Sequence, residues 1–120
     1  MDVINLIEKA LNIRASYHRM ISGNIANVET PGYKEKDIDF RKEIERAINS
    51  GVDGSSIGSG VEVTEKPEND GLSSIDGNTV NVEDQIVKLT ENQVMFNSLV
   101  QVAAKRFSMM RFLISEGRNS

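Results

Sequence analysis

Along the first quarter of the chain the apolar residues return every three or four positions, the spacing of a helix face. One stripe reads Ile4, Ile7, Leu11, His18, Ile21, Ile25 and Val28, broken at Arg14; beside it runs Val3, Leu6, Ala10, Ile13, Tyr17 and Met20. Together they are wider than the seam of a simple coiled-coil dimer, so this predicted helix needs more than one neighbour. It should stop near Asn27, because Thr30-Pro31-Gly32 follows. Proline disfavours a helical residue before it, and Pro-Gly suits the centre of a type II turn. Phe40, Ile44, Ala47 and Ile48 then share one face of a short predicted helix over residues 41–49, which Asp37 or Asp39 would cap.

From residue 50 to 74 the pattern is lost. Gly51, Gly54, Gly58, Gly60 and Gly71 sit among Ser, Asp and Asn, and only Val61-Glu62-Val63 alternates as a strand would. Ordering a residue costs about 1–2 kcal/mol of backbone entropy, and few large apolar groups are present to offset it. The segment is expected to be mobile, or ordered only by a partner. Asp76-Gly77-Asn78 reads as a tight turn, and Asn81 with Asp84 three residues on reads as a helix N-cap. Ile86, Leu89, Gln93, Phe96, Val100, Ala103, Phe107, Met110 and Ile114 then step by three and four, with Met95, Leu99, Val102, Met109 and Leu113 alongside. Glu83 and Asp84 near the start and Lys105, Arg106 and Arg111 towards the end follow the helix dipole.

The expected fold is mostly α. Two long terminal amphipathic helices, about 39 Å and about 51 Å at 1.5 Å per residue, pair as an antiparallel coiled-coil-like hairpin. A short middle helix and a Gly/Ser-rich irregular segment with little β join them. The chain divides into an N-terminal assembly helix (1–30), a turn and short helix (31–49), a flexible polar segment (50–80) and a C-terminal assembly helix (81–120), both ends forming one structural domain. Two cylinders cannot enclose a core, so each leaves a stripe in water unless helices from other molecules cover it. The lone chain should be only partly ordered and should complete its folding on assembly.

Composition removes most chemistry. The chain has 120 residues, 38% of them hydrophobic, and its 14 basic and 18 acidic residues are dispersed to a net charge of −4. No concentrated basic surface for nucleic acid follows from that. The absence of Cys and the single His argue against disulfides, thiolate sites and ordinary zinc sites. No run approaches the roughly 18 apolar residues of a membrane span, and the N-terminus lacks the features of a cleaved signal peptide. Glu35, Asp37 and Asp39 lack the glycine and distal Glu of a calcium loop, and Asp76-x-Asn78-x-Val80 fails at its third ligand position. Caps and solvated charges account for them. Gly58-Ser59-Gly60 lacks the Lys-Ser/Thr of a phosphate loop, and nothing resembles a nucleophile elbow. His18 reads as a packed or edge residue, and Met20, Met95, Met109 and Met110 as adaptable packing groups. No catalytic residue, metal, cofactor or small-molecule substrate is expected.

The segment Asn24-Ile25-Ala26-Asn27-Val28-Glu29-Thr30-Pro31-Gly32-Tyr33, closing an amphipathic helix, resembles the signature of the bacterial flagellar rod and hook proteins. Asp37-Ile38-Asp39-Phe40, Asp76-Gly77-Asn78-Thr79-Val80 and Leu89-Thr90-Glu91-Asn92-Gln93 are similar to the proximal rod members in particular. The resemblance implies a non-enzymatic subunit of the basal-body rod, assembling through its terminal helices into a helical tube that transmits torque and surrounds the export channel. It implies a periplasmic position reached through the flagellar type III apparatus without a cleaved signal peptide. The implied partners are further copies of the chain, rod proteins of the FlgC type, the basal-body adaptor FliE, the membrane-ring protein and the export gate. The alternatives are a different rod protein of that family, of the FlgC type, or a soluble helical adaptor that binds a partner helix.

The residues expected at subunit interfaces are Ile7, Leu11, Ile21, Asn24, Ile25, Asn27, Thr30, Pro31, Gly32, Tyr33 and Phe40 from the first half. From the second they are Leu89, Asn92, Phe96, Leu99, Val100, Ala103, Phe107, Met110 and Ile114. Tyr33, an aromatic with a polar tip, suits contact with a neighbour. On the residues alone, the turn around Pro31-Gly32 reads as a plain helix stop sooner than as a docking elbow between subunits; the resemblance sets the two readings level.

Overall fold

A computed structural model describes residues 3–50, 61–66 and 77–118. Its elements are α1 (Val3–Ala26), β1 (Lys36–Asp37), α2 (Phe40–Ser50), β2 (Thr64–Glu65) and α3 (Val82–Arg118). Local chemistry sets their ends. The Asp39 side chain accepts the Lys42 N–H at 3.2 Å and its carbonyl the Glu43 N–H at 3.1 Å, so Asp39 caps α2. Asp37 bonds the neighbouring Ile38 N–H instead. Asn81 caps α3 as expected, its side chain accepting the Asp84 N–H at 3.2 Å. After α1 the chain reverses at Thr30-Pro31-Gly32-Tyr33, where the Tyr33 N–H reaches the Thr30 carbonyl at 3.2 Å and Gly32 takes φ +77°. That positive φ is what a type II turn requires and what glycine supplies at least cost.

The two long helices form the expected antiparallel pair, with Asn24 meeting Gln85 and Arg14 meeting Asn92. Extending this register places Val3 opposite about residue 104, so roughly the last four turns of α3 run on beyond α1. The molecule measures 71 × 27 × 18 Å, with a radius of gyration of 18.5 Å. A compact chain of this length would have about 14 Å. α2 lies on α1, where the Lys9 Nζ donates to the Ala47 carbonyl at 2.9 Å, one of the carbonyls left without a partner at a helix end. The Arg14 guanidinium stacks 3.7 Å from the Phe40 ring centroid.

Two expectations need correcting. The strand is Thr64–Glu65, just after the alternating Val61-Glu62-Val63; Lys36 lies opposite Glu65 and Asp37 opposite Thr64 in an antiparallel pair. Residues 61–66 are moreover ordered by their own chain. The Lys66 N–H bonds the Glu35 carbonyl at 2.7 Å, and the Glu62 N–H bonds Glu43 at 3.1 Å. The Glu62 carboxylate pairs with Lys42 at 3.2 Å and Arg46 at 3.0 Å. Backbone pairing and ion pairs do here what apolar burial could not. Residues 77–80, also placed in the flexible segment, are likewise bonded within the chain, with Asn78 and Thr79 buried; residues 51–60 and 67–76 lie outside the described residues.

The second correction concerns the core. Among the described residues the buried apolar side chains are Ile7, Ala10, Ile13, Ile21, Ile38 and Ala47, none of them on α3. The inward line of α3 is Gln85, Leu89, Asn92, Phe96, Leu99 and Ala103, and its fully buried members are the polar Gln85 and Asn92. Ile86 and Gln93, placed on the inner stripe by their spacing, are exposed. One residue of rotation separates the two readings, and the long-range polar contacts choose between them.

Candidate assembly surface

The elbow after α1 is built around a buried amide. Asn24, fully buried, donates through Nδ2 to the Lys36 carbonyl at 2.8 Å and to Gln85 Oε1 at 3.0 Å. Its Oδ1 accepts the Lys36 N–H at 3.0 Å and the Tyr33 hydroxyl at 3.2 Å. The Gln85 amide in turn donates to Glu35, which also lies 3.9 Å from Lys88 Nζ. α1, the chain after the turn and the first turn of α3 are thus joined through two side-chain amides.

A second amide holds the turn. Asn78 Nδ2 faces the carbonyls of Asn27, Val28 and Thr30 at 2.9, 3.0 and 2.7 Å, while its Oδ1 accepts the Val80 N–H at 2.8 Å. The carbonyls released where α1 unwinds therefore find a donor from 48–51 residues further along the chain. Next to it the Thr79 N–H bonds the Tyr33 carbonyl at 3.0 Å, and the Thr79 hydroxyl accepts the Glu35 N–H at 2.7 Å. Lys34 donates to the Gly77 carbonyl. The elbow is more than a helix stop: it is the joint that seats the start of α3.

Halfway down the pair, Asn92 Nδ2 donates to the Arg14 carbonyl at 2.9 Å and its Oδ1 accepts from the Arg14 guanidinium at 3.2 Å. Beside them burial pushes the Tyr17 phenol up to about 12, helped by the Asp37 carboxylate it hydrogen-bonds and by Glu91, and opposed by Arg14. The sign follows directly. Between the ordinary tyrosine value of 10.0 and about 12 the unfolded phenol ionises while the folded one stays protonated, so stability falls as pH rises through that window. Denaturant titrations from about pH 9 to pH 11 should show that decline flattened in Tyr17→Phe. An unchanged slope would remove Tyr17 from the alkaline response.

The residues expected at interfaces fall into three groups. Ile7, Ile21, Asn24 and Asn92 are buried inside the chain. Leu11, Ile25, Asn27, Tyr33, Phe40, Leu89, Phe96, Leu99 and Ala103 are half-buried, several of them along the α1–α3 seam; Phe40 and Leu99 also line a cleft of about 260 Å³ with Ile44 and Met95. Thr30, Pro31, Gly32, Val100, Phe107, Met110 and Ile114 are exposed. Spacing did not single out Lys9, Gln85 or Thr79, and read Asn78 only as part of a turn. For Gln85 and Asn92 a signal existed: both fall on the three-and-four rhythm of Leu89, Phe96, Leu99 and Ala103.

The consequence is an uncovered surface. Met95, Val100, Val102, Phe107, Met109, Met110, Phe112, Leu113 and Ile114 are all exposed, and beyond Ala103 every described side chain of α3 is. Lone exposed apolar groups are ordinary; a projecting helix dominated by them marks a contact surface. Among the described residues no helix is long and apolar enough to cross a membrane.

No family model matches the chain. It is similar over almost its entire length to curated proteins that share one description, flagellar basal body rod protein FlgB. The relative from Escherichia coli (strain K12) is 29% identical over 124 residues, covering 90% of this chain and 90% of the relative. Those from Salmonella typhimurium (strain LT2) and Yersinia ruckeri are 28% and 26% identical, each covering 92% of this chain and 91% of the relative. The helical pair, the signature elbow and this end-to-end likeness together support a structural, non-enzymatic subunit of the flagellar basal-body rod, similar to the proteins described as FlgB.

Proposed function

We propose that the chain builds the proximal part of the rod, its two long helices packing with those of neighbouring subunits into a helical tube that encloses the export channel and carries torque. One observation supports this above the others: a helix of 37 residues on which no apolar side chain is buried. An isolated helix gains little from propensity and is held by packing of its face, so the packing that α3 lacks within the chain comes from neighbours. Phe107, Met110, Ile114 and Val100 make those contacts, with Thr30, Pro31, Gly32 and the half-buried Tyr33 at the elbow. Half-buried Leu11, Ile25, Asn27, Phe40, Leu89, Phe96, Leu99 and Ala103 border them. Ile7, Ile21, Asn24 and Asn92 serve the same surface from within, by holding its shape. Subunits stacked through unlike surfaces give an open filament.

The neighbours in this reading are further copies, rod proteins of the FlgC type and the adaptor FliE, with the membrane-ring protein and export gate at the base. The chain reaches its periplasmic position through the type III apparatus. Hydrogen exchange tests the reading. Amides of residues 104–117 should exchange quickly in the isolated chain, through fraying of an unsupported helix, and slowly in purified basal bodies. Equal exchange in the two states would refute assembly through this helix.

A further inference from the structure

The α1–α3 seam has two flanks, and α2 lies along one of them. There Leu6 and Ala10 of α1, Phe40 and Ile44 of α2, and Met95 and Leu99 of α3 wall the apolar cleft described above. Three sides of a helix bundle are in place and the fourth is open. The apolar lining continues past the cleft. Ile48 follows Ile44 by four, and on α3 the line Met95, Leu99, Val102, Arg106, Met109 and Leu113 steps by four and three, which makes it one face. Ile48 and Val102 are 46% and 50% exposed.

Two charges interrupt this apolar surface, and both are arginines. Arg14, which lines the cleft, gives one donor to Asn92 and rests on the Phe40 ring, while its Nε is buried with no partner. Among the described residues no carboxylate pairs with it; burial lowers its pKa, and only the neighbouring Tyr17 acts the other way. On α2, Glu45 is already paired with Arg41 and Glu43 with Arg46. Arg106 is exposed and stands about 21 Å further along α3 than Asn92, at 1.5 Å per residue. A purely apolar helix laid here would take both guanidinium groups further out of water with nothing to neutralise them, which is strongly unfavourable. A second copy fares worse. The part of the chain it can offer, the α3 projection, has no acidic side chain between residues 92 and 115 and brings Lys105, Arg106 and Arg111.

We propose that this cleft seats a helix of a different rod component, one whose apolar stripe carries two carboxylates about four turns apart. One meets the unused edge of Arg14, Nε with Nη2, a fork that suits a carboxylate held by two parallel hydrogen bonds; the other meets Arg106. The apolar residues between them pack on Leu6, Ile44 and Leu99 and complete a four-helix arrangement. The charges choose the partner: any neighbour can supply apolar area, whereas a buried cation without a counter-charge admits only a helix that brings an acid. The inference rests on the rod-subunit reading and specifies what one flank of the seam receives.

Photo-cross-linking reads the contact directly. With p-benzoylphenylalanine in place of Ile48 or of Val102 in the full-length chain, irradiated cells and the basal bodies purified from them should show both positions capturing one segment of one other protein, with an Asp or Glu within a turn of the captured residue. The same group in place of Asn97, exposed and two residues from both Met95 and Leu99, and so on the far side of α3, should not capture that segment. Arg106→Glu, an exposed change beyond the end of α1, should lower the yield about tenfold, and reversing the captured segment's own acid to Arg should restore it. Arg14→Gln should act in the same direction and Arg14→Lys less strongly, with melting curves to verify the fold; if Arg14→Gln unfolds the chain, the Arg106 reversal decides alone. Capture of a second copy, of phospholipid or of a segment without an acid would overturn the contact, as would no capture at either position or a yield indifferent to Arg106→Glu. Any of these with the chain present in basal bodies discards the contact and leaves rod assembly standing, whereas absence of the chain from basal bodies sinks the reading beneath it.

Discussion

Asn24→Ala is expected to lower folding stability by about 3–5 kcal/mol, a large part of the margin of a small domain. The side chain is fully buried and makes four hydrogen bonds, two donated and two accepted. Alanine leaves both the Lys36 peptide N–H and carbonyl without their partner, together with the Gln85 amide oxygen and the Tyr33 hydroxyl. Each buried group left unsatisfied costs about 1–3 kcal/mol, and water entering beside the exposed Lys36 recovers some of it. Asn24→Asp should do comparable harm despite its matching shape, because it keeps the acceptors, loses both donors and sets a second carboxylate near Glu35. The midpoint of urea unfolding reads both variants. An Asn24→Ala loss below about 1 kcal/mol would show that the elbow is not held as described.

Phe107→Asp is expected to leave the isolated chain's melting almost unchanged and to abolish rod assembly and motility while export continues. Phe107 is 51% exposed and sits beyond the end of α1, so its replacement removes little packing within the chain; surface changes of that sort usually stay within about 0.5 kcal/mol. Placed on a seam that neighbours cover, the same carboxylate would be desolvated without a partner, a penalty of several kcal/mol at every repeat of the contact. Phe96→Asp is the informative contrast. Phe96 is half-buried beside Ala15 and His18, so it should lower the melting temperature and motility together. Normal swimming by cells carrying Phe107→Asp would count decisively against the projection as a contact surface.

How much of this was legible follows from the range of the interactions. The Asn81 cap, the Pro31-Gly32 reversal and the span of each helix depend on residues within four of one another, and all are visible as local patterns. Asn24 to Gln85, Arg14 to Asn92 and Lys9 to Ala47 join residues 61, 78 and 38 apart. Periodicity carries no information about such pairs. It also misleads when the inward position is polar, as at Gln85 and Asn92, because an apolar-inside rule rotates the helix towards Ile86. The interface set shows the same division: Phe107, Met110 and Ile114 lie open, whereas Ile7 and Ile21, equally apolar in sequence, are consumed within the chain.

By itself, then, the order of residues determined two long helices, the turn and caps that bound them, and an excess of apolar surface over what one chain can cover. Those properties are set by backbone preferences and side-chain spacing along a single segment. Only the tertiary structure decided which face of α3 turns inward, that amides seat it there, and that its last turns project uncovered. That choice rests on hydrogen bonds between distant segments, whose partners exist only once the helices lie in one register.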